Sequence, residues 1–462
     1  MAEHYFCVHG HFYQPQRGNP FADDALSTEP GAEPFKNFNE KATFMCYTPN
    51  ASLGNFDLMS FNIGSALTRW MELNAPESYA RIMAADRKHR EQWGVGNALA
   101  QPTHHAILPL CNPRDQQLLV KWGLITFEHR FGRPAEGMWL PELGVTLNTL
   151  QVLHDNGVKF TILGQAQVEG ANEGGGPYWV KLPSGDRIAV FVRNDDLSNQ
   201  VAFSVHHLGG AGRWARNVLA PLKKSYPRLL LLGIEGETFG YHHPGEEHFL
   251  RWLLSYEAVA AGYEVTTLAR DLRDHPPTTE IKVLDYTAWN SAQELARWRG
   301  ELRDAMDHLA NRLDDVYLVT AQSMGVEAWK LRENYIRVRL GQCTPAELFA
   351  EHAPRTLTAA QAETLAQLLK AQFHRQRMYT SAAYFYEDLD RAETRLAIAD
   401  AVVAMRLNQA ATNLDLGATF RADLARVVSN QSGRSGAEIL DDVLAWERES
   451  AGIPATGGES SV

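Results

Sequence analysis

The sequence predicts an α/β protein: a parallel sheet or barrel through about residue 285, then an α-helical bundle. Short apolar runs alternate with helical stretches in the first part of the chain, the pattern of repeated βα units. One run, "LLLLGIEG" (229–236), is apolar almost without a break, as a strand buried on both faces must be. From about residue 291 the apolar residues recur only at three- and four-residue spacing, the period of helices.

The candidate strands in order are "HYFCVHG" (4–10), "GMWLPE" (137–142), "KFTILG" (159–164), "RIAVFVR" (187–193), "LLLLGIEG" (229–236) and "YEVTTL" (263–268). Helical patterns lie between several of them. "VTLNTLQVLHDNG" (145–157) is one, closed by an Asn-Gly stop. The helical part opens with "SAQELARWRGELRDAMDHLANRL" (291–313), where Ser291 and Glu294 have the spacing of a capping box. The expected boundaries are 1–285 for the barrel, 286–450 for the helical domain and 451–462 for a small, polar, disordered tail. Trp298, Tyr379 and Tyr384 fall at helical positions where core packing is the default reading, while Trp289 precedes the first bundle helix and could reach a cleft.

A chain of 462 residues can bury a large core, and 45% apolar residues is ordinary for a globular protein. The formal charge of -11 argues against nucleic acid as a partner. Cys7, Cys46, Cys111 and Cys343 form no C-x-x-C pair, which suits free thiols in a reducing compartment. The amino terminus "MAEHYFCVHGHF" lacks a basic, then apolar leader, and no stretch is long and apolar enough for a membrane helix. The expectation is a soluble, cytoplasmic protein.

In a barrel of parallel strands, chemistry collects at the carboxyl ends. Those ends are polar here. The first supplies His9, His11 and Gln14. "WGVGNALAQPTHHAILPL" supplies Asn97, His104 and His105. "GMWLPELG" supplies Trp139 and Glu142. "FVRNDDLSNQ" supplies Arg193, Asn194, Asp195 and Asp196, and "GIEGETFGYHH" supplies Glu235, Glu237 and His242. Any one of these has a bland reading, a hydrogen-bonded structural histidine or a solvated acid. Their convergence on one face points to a site. Two carboxylates on separate strands suit glycoside hydrolysis, in which one face of the sugar needs an anion and the leaving oxygen needs a proton. Glu142 and Glu235 are the candidates, with Glu237 the nearest competitor.

"HGHFYQPQRGNP", "GNALAQPTHHAILPL", "GMWLPELG" and "EGETFGYHH" resemble four conserved regions of glycoside hydrolase family 57, in that family's order. "RENYIRVRLG" and "QRMYTSAAYFYEDLDRAE" resemble the uncharacterised helical domain that follows the barrel in one subgroup. The resemblance implies an incomplete (β/α)7 TIM-like barrel with a helical bundle, acting on α-glucans or maltooligosaccharides by a retaining mechanism without metal or other cofactor. Amylases, 4-α-glucanotransferases and branching enzymes belong to that family. Carried over by position, Glu142 matches the nucleophile. Glu235 stands where the general acid, usually Asp, is found. His9, His11, Gln14, Asn97, His105, Trp139, Asp195, Glu237, His242 and Trp289 are the expected sugar-binding residues. The sequence departs from the family at three places: Glu235 replaces the Asp, Thr103-His104-His105 replaces Tyr-Asn-His, and the fifth region is reduced to "AWNSAQELARWRG". The chain is also shorter at its carboxyl end than the subgroup leads one to expect.

Two other readings compete. A glucan-binding protein could keep the cleft and lack proton donation. A metal-dependent amidohydrolase could use His9-x-His11, or a deacetylase "HHPGEEH" with "NDD". The Gln-Pro that follows the histidines fits the glycosidase pattern better.

Overall fold

A computed structural model describes residues 4–26, 28–172, 174–224, 228–289, 300–385 and 388–452. Its strands are β1 (Tyr5–Phe12), β2 (Ser60–Ile63), β3 (Ala98–Leu99), β4 (Phe160–Gly164), β5 (Val168–Glu169), β6 (Tyr178–Lys181), β7 (Arg187–Arg193), β8 (Leu229–Glu235), β9 (Glu264–Val265) and β10 (Lys282–Val283). The chain forms two compact units, Met1–Gln14 with Thr28–Ala296, and Pro15–Ser27 with Arg297–Val462. The sequence pattern put the division at 285/286 and left residues 15–27 with the barrel.

The first unit is a ring of parallel segments. β1 pairs with β2 along one edge and with β8 along the other, and β2 pairs with β3. Just beyond β3, Ala100 bridges Met138, and Gly137 bridges Phe160 of β4. β4 pairs with β7, and the Asn194 N–H at the end of β7 donates to the Leu231 carbonyl of β8 at 2.8 Å. Seven parallel segments therefore close on themselves: β1, β2, β3, residues 137–139, β4, β7 and β8. β9 pairs with β1, β6 forms an antiparallel hairpin with β7, and β5 pairs with β10.

Side chains alternate across each strand, so every second residue faces the ring's interior. Tyr5 and Cys7 of β1, Leu99, Phe160 and Ile162 of β4, Ala189 and Phe191 of β7, and Leu229 and Leu231 of β8 fill that core. Each fully buried leucine contributes about 1.5–3 kcal/mol over its exposed state. The segment expected as a strand at 137–142 makes only bridge contacts, because Pro141–Leu143 turns away as a single 3-10 turn. The strand expected at 263–268 shortens to Glu264–Val265. β2 has no counterpart among the expected strands: "SFNI" is too short to show a period.

The second unit is helical where it is described. Its longer helices are Glu301–Ser323, Ala359–Arg377, Ala392–Thr412 and Gly436–Ser450. Capping boxes start three of its helices: Thr344 with Glu347, Thr358 with Gln361, and Ser435 with Glu438. Tyr379 and Tyr384 are buried in its core. Pro15–Ser27 joins this unit through Arg377, whose guanidinium donates to both carboxylate oxygens of Asp24 at 2.8 and 2.9 Å, and through Phe21, edge-on to Trp446. The Ser291–Glu294 cap, Trp298 and most of the tail at 451–462 lie outside the described residues. No helix among the described residues is long and apolar enough to cross a membrane.

Candidate active site

The inward-facing series change from apolar to polar as each strand reaches its carboxyl end. Tyr5 and Cys7 continue into His9 and His11, Leu229 and Leu231 into Gly233 and Glu235, and Ala189 and Phe191 into Arg193. Strand register then sets three of these polar groups side by side. His11 is paired with Asn62 of β2 on one edge and with Glu235 of β8 on the other. Chain alternation alone therefore builds a polar floor over an apolar core.

Aromatic rings cover this floor. His9 and His11 both lie nearly parallel to Trp139, with centroids 5.0 and 4.7 Å away. Tyr13 stacks on His105 at 3.8 Å, and Trp289 stands edge-on to Trp139 at 5.7 Å. His11 and His105 form a different contact. Their Nε2 atoms are 3.1 Å apart, their centroids 5.0 Å apart and their planes 15° apart. That is the geometry of two imidazoles joined edge to edge by an in-plane hydrogen bond, not of a face stack. Asn62 ties the group together: its Oδ1 is 2.9 Å from His9 Nε2, and its Nδ2 is 2.9 Å from His11 Nδ1 and 2.5 Å from Gln101 Oε1. Burial disfavours the charged imidazole, lowering His9 to about 4, His11 to about 3, and His105 well below its ordinary value. The three rings are neutral at neutral pH. The buried indole nitrogens of Trp139 and Trp289 have no hydrogen-bond partner among the described residues.

Glu142 reaches the same mouth from a strained turn. Its φ is 55° and that of Leu143 is 46°, two consecutive left-handed residues without a glycine. His104 and His105 repeat this after β3, with φ of 64° and 52°. Such backbone costs of order 1–3 kcal/mol per residue and clusters where function requires a fixed side chain. The turn at Glu142 is held by Leu143 N–H to Leu140 O (2.9 Å), Gly144 N–H to Pro141 O (3.0 Å) and Trp289 N–H to Glu142 O (3.1 Å). Leu143 is buried in the ring core, which anchors the strain. Glu142 ends the fourth segment of the ring and Glu235 the seventh, so the two carboxyls leave from opposite arcs of one rim.

Glu235 and Glu237 have different surroundings. Glu235 is half exposed, but it lies deep enough in the cleft that desolvation raises its pKa, while the Arg193 guanidinium opposes the rise. Desolvation is the larger of these two effects. Glu237 is buried, accepting from the Tyr47 hydroxyl at 2.6 Å and the Tyr13 N–H at 3.0 Å. Burial pushes its pKa up to about 8 and Glu235 adds to the rise, against the lowering effect of those hydrogen bonds. Gly236 between them is required by contact: a Cβ there would lie 2.3 Å from the Phe12 ring. His242 Nε2 is 3.8 Å from Glu235 Oε2, too far for a hydrogen bond, and burial and His243 keep that imidazole neutral.

Two residues expected as sugar contacts, Asn97 and Asp195, are held by protein partners. Asn97 precedes β3 and is fully buried away from the strand's carboxyl end, where its amide donates to the carbonyls of Phe56 and Met59. Asp195 accepts from Arg193 Nε at 2.7 Å and from the Ala166 N–H at 3.0 Å, so it orients Arg193. Gln14 is buried and bonds Tyr47. His9, His11, His105, Trp139 and Trp289 come together as one cluster. Asn62, Gln101, Tyr13 and Tyr47 were not anticipated. Asn62 left one faint sign, an amide held between apolar neighbours in "SFNI". Among the described residues no three or more His, Cys, Asp or Glu side chains are grouped to hold a metal ion.

Residues 68–284 match the model of glycosyl hydrolase family 57, and residues 293–450 match a domain of unknown function, DUF3536. No curated protein matches the chain in sequence. Among solved structures, an exo-type maltose-forming amylase from Pyrococcus sp. ST04 superposes with a TM-score of 0.74 at 14% identity, covering 96% of this chain and 88% of that one. A branching enzyme from Thermococcus kodakaraensis gives 0.60 at 14% identity over 98% and 96%, and a 4-alpha-glucanotransferase from Thermococcus litoralis gives 0.57 at 15% over 88% and 60%. At these identities the likeness is one of fold.

Proposed function

We propose, for a chain that belongs to glycoside hydrolase family 57 through its residues 68–284, that it cleaves or transfers α-glucan chains with retention of configuration. Glu142 is the nucleophile in this reading. Its carboxylate attacks the anomeric carbon as the glycosidic C–O bond breaks, and Glu235 gives its proton to the leaving oxygen. In the second half, Glu235, now ionised, takes a proton from water or from a sugar hydroxyl. That oxygen displaces Glu142 and restores both carboxyls. The observation that carries the reading is the pair of carboxyls on opposite arcs of one rim, above a floor of neutral, hydrogen-bonding rings. A neutral floor suits an uncharged polyol. The raised pKa of Glu235 favours the protonated form that an acid needs. The indole N–H groups of Trp139 and Trp289 offer donors to sugar oxygens. His9, His11, His105 and His242 are the further sugar contacts, and Glu237 supports Glu235 from below.

Product analysis tests this. The protein is incubated with maltooligosaccharides and amylose, and the anomer first released is followed by proton NMR. Retained α-products, shortened or rearranged, are expected. Inverted products would remove Glu142 from the nucleophile role. Binding without turnover would favour the glucan-binding alternative.

A further inference from the structure

A small, part-open cavity of about 20 Å³ lies between the ends of β2 and β3 and the helices Ser65–Asn74 and Pro113–Phe131. Gly123, Thr126, Phe127 and Arg130, at three- and four-residue spacing, form one wall of it. The glycine is required by contact: a Cβ there would lie 2.2 Å from the Gln101 carbonyl oxygen, so the helix packs directly on the chain that leaves β3. Thr126 Oγ1 and Arg130 Nε in this wall are buried and have no hydrogen-bond partner among the described residues. A threonine inside a helix commonly donates to the carbonyl four residues back. Thr68, also in the lining, does so, to Gly64 O at 3.0 Å; Thr126 does not. The Arg130 side chain is only 7% exposed. Its Nη1 donates to Glu72 Oε2 at 3.1 Å and to the Tyr79 hydroxyl at 3.0 Å, which leaves the Nε–H unused. A buried donor left unmet costs its desolvation, so this wall calls for an acceptor.

Charge and size then select the ligand. The cavity is lined by a guanidinium and by neutral residues, with no carboxylate among them. Glu72 is half exposed, so water screens its charge. A charged donor is met best by an anion. One water-sized body needs about 10–15 Å³, so the cavity takes a single small ion and excludes a sugar ring. We propose that this cavity binds one halide ion, chloride in solution, through Arg130 Nε and the Thr126 hydroxyl, and that Gln101 couples it to the sugar-binding floor. Gln101 lines the cavity, and its Oε1 is 2.5 Å from Asn62 Nδ2, which in turn lies 2.9 Å from His11 Nδ1. The coupling needs only that the two amides stay in contact, whichever of them donates. The halide site stands independently of the α-glucan reading; its coupling to sugar binding rests on that reading.

The test begins with crystals of the full chain grown in sodium bromide and anomalous diffraction at the bromine edge. A bromide peak in contact with Arg130 Nε and Thr126 Oγ1 is expected; a water in that place, or no peak, overturns the proposal. In solution, the 35Cl NMR line should broaden saturably with the native chain and lose that broadening with Arg130→Gln. Thr126→Val keeps the side chain's shape and serves if Arg130→Gln does not fold: chloride should broaden less with it, and its Tm should no longer rise when chloride replaces gluconate, an anion too large for the cavity, at equal ionic strength. Broadening unchanged in the folded variants overturns the site. Saturating chloride should also tighten maltooligosaccharide binding about fivefold, the low end of coupling between distinct sites, and by linkage the sugar should tighten chloride binding by the same factor. Halide binding that leaves sugar affinity unchanged overturns the coupling. If no form binds maltooligosaccharide in either salt while the bromide peak is present, the α-glucan reading fails and the halide site stands.

Discussion

The Tyr47 hydroxyl donates to Oε1 of Glu237 across 2.6 Å, and the Tyr13 N–H donates to the same oxygen at 3.0 Å. This buried carboxyl holds its proton up to about pH 8 in the fold, whereas an unfolded glutamate releases it near 4.5. The folded state therefore binds more protons in that window. The stabilisation is complete below the unfolded value and is lost as pH rises through about 8. Glu237→Gln keeps an oxygen for both donors and removes the titration. Relative to the native protein, the variant should gain thermal stability steadily from pH 5 to 8, by up to a few kcal/mol. Parallel Tm–pH curves for the two proteins would show that Glu237 is ionised in the fold.

The histidines act in the opposite direction. His9, His11 and His105 have folded-state values depressed below 6.5, so the unfolded chain binds more protons as pH falls. Their contribution is whole above pH 6.5 and drains away towards pH 4. Between pH 4.5 and 6.5 three such rings oppose one glutamate, and above 6.5 the glutamate acts alone. Stability from this cluster should peak near pH 6.5, with the steeper flank on the acid side. Calorimetric Tm values at half-unit intervals check this, and a flat acid flank would mean that the rings are solvated.

Glu235→Gln separates proton donation from the rest of the chemistry. Loss of a general acid costs about 10²–10⁴-fold when the leaving group needs a proton. A glucosyl fluoride needs none, so its first-step rate should survive while cleavage of maltooligosaccharides falls. Equal losses on both substrates would assign Glu235 another role.

Arg193 should set the upper edge of the pH profile. Its guanidinium is fixed by Gly233 O at 2.7 Å, Asp195 Oδ1 at 2.7 Å and Asn199 Oδ1 at 3.2 Å, and it lies 5.3 Å from the centre of the Trp289 ring. Its charge lowers the pKa of Glu235. Arg193→Gln removes that charge, so Glu235 keeps its proton to higher pH and the basic limb of kcat/KM moves up. Arg193→Lys, which keeps the charge, should leave the limb near its native position. A basic limb that stays in place in Arg193→Gln would detach Arg193 from the acid.

What the sequence made legible follows from what alternation encodes. The strands that set the mouth, β1, β4, β7 and β8, are long enough to show apolar runs, and the carboxyl ends of β1 and β8 carry His9, His11 and Glu235 directly. Asn62 escaped because β2 is four residues long. Tyr47 escaped because it lies in a helical stretch distant in sequence from Glu237. Asn97 misled for the converse reason. It stands close in sequence to a strand's polar end but precedes the strand, and Phe56 and Met59 claim its amide. The joining of Pro15–Ser27 to the helical unit depends on pairs such as Arg377–Asp24, hundreds of residues apart, which no local pattern carries.

The left-handed backbone at Glu142 offers the sharpest test of the nucleophile. At most positions Glu→Gly loosens the chain by about 0.5–1 kcal/mol. At φ 55° a residue with a Cβ is already strained by a similar amount or more. Glu142→Gly should therefore be as stable as the native protein while turning over no glucan. The vacated space lies against the anomeric carbon in the proposed complex. Azide, a small anion, can attack there as Glu235 protonates the leaving oxygen, giving a glycosyl azide of inverted configuration. Glu142→Gln, which keeps the side chain's shape, should remain inactive with azide because no space opens. Recovery in the glycine variant alone, with the β-azide from an α-glucan donor, identifies the face and the residue together. Native rates in Glu142→Gln, or an azide product that retains the α configuration, would move the nucleophile elsewhere on the rim.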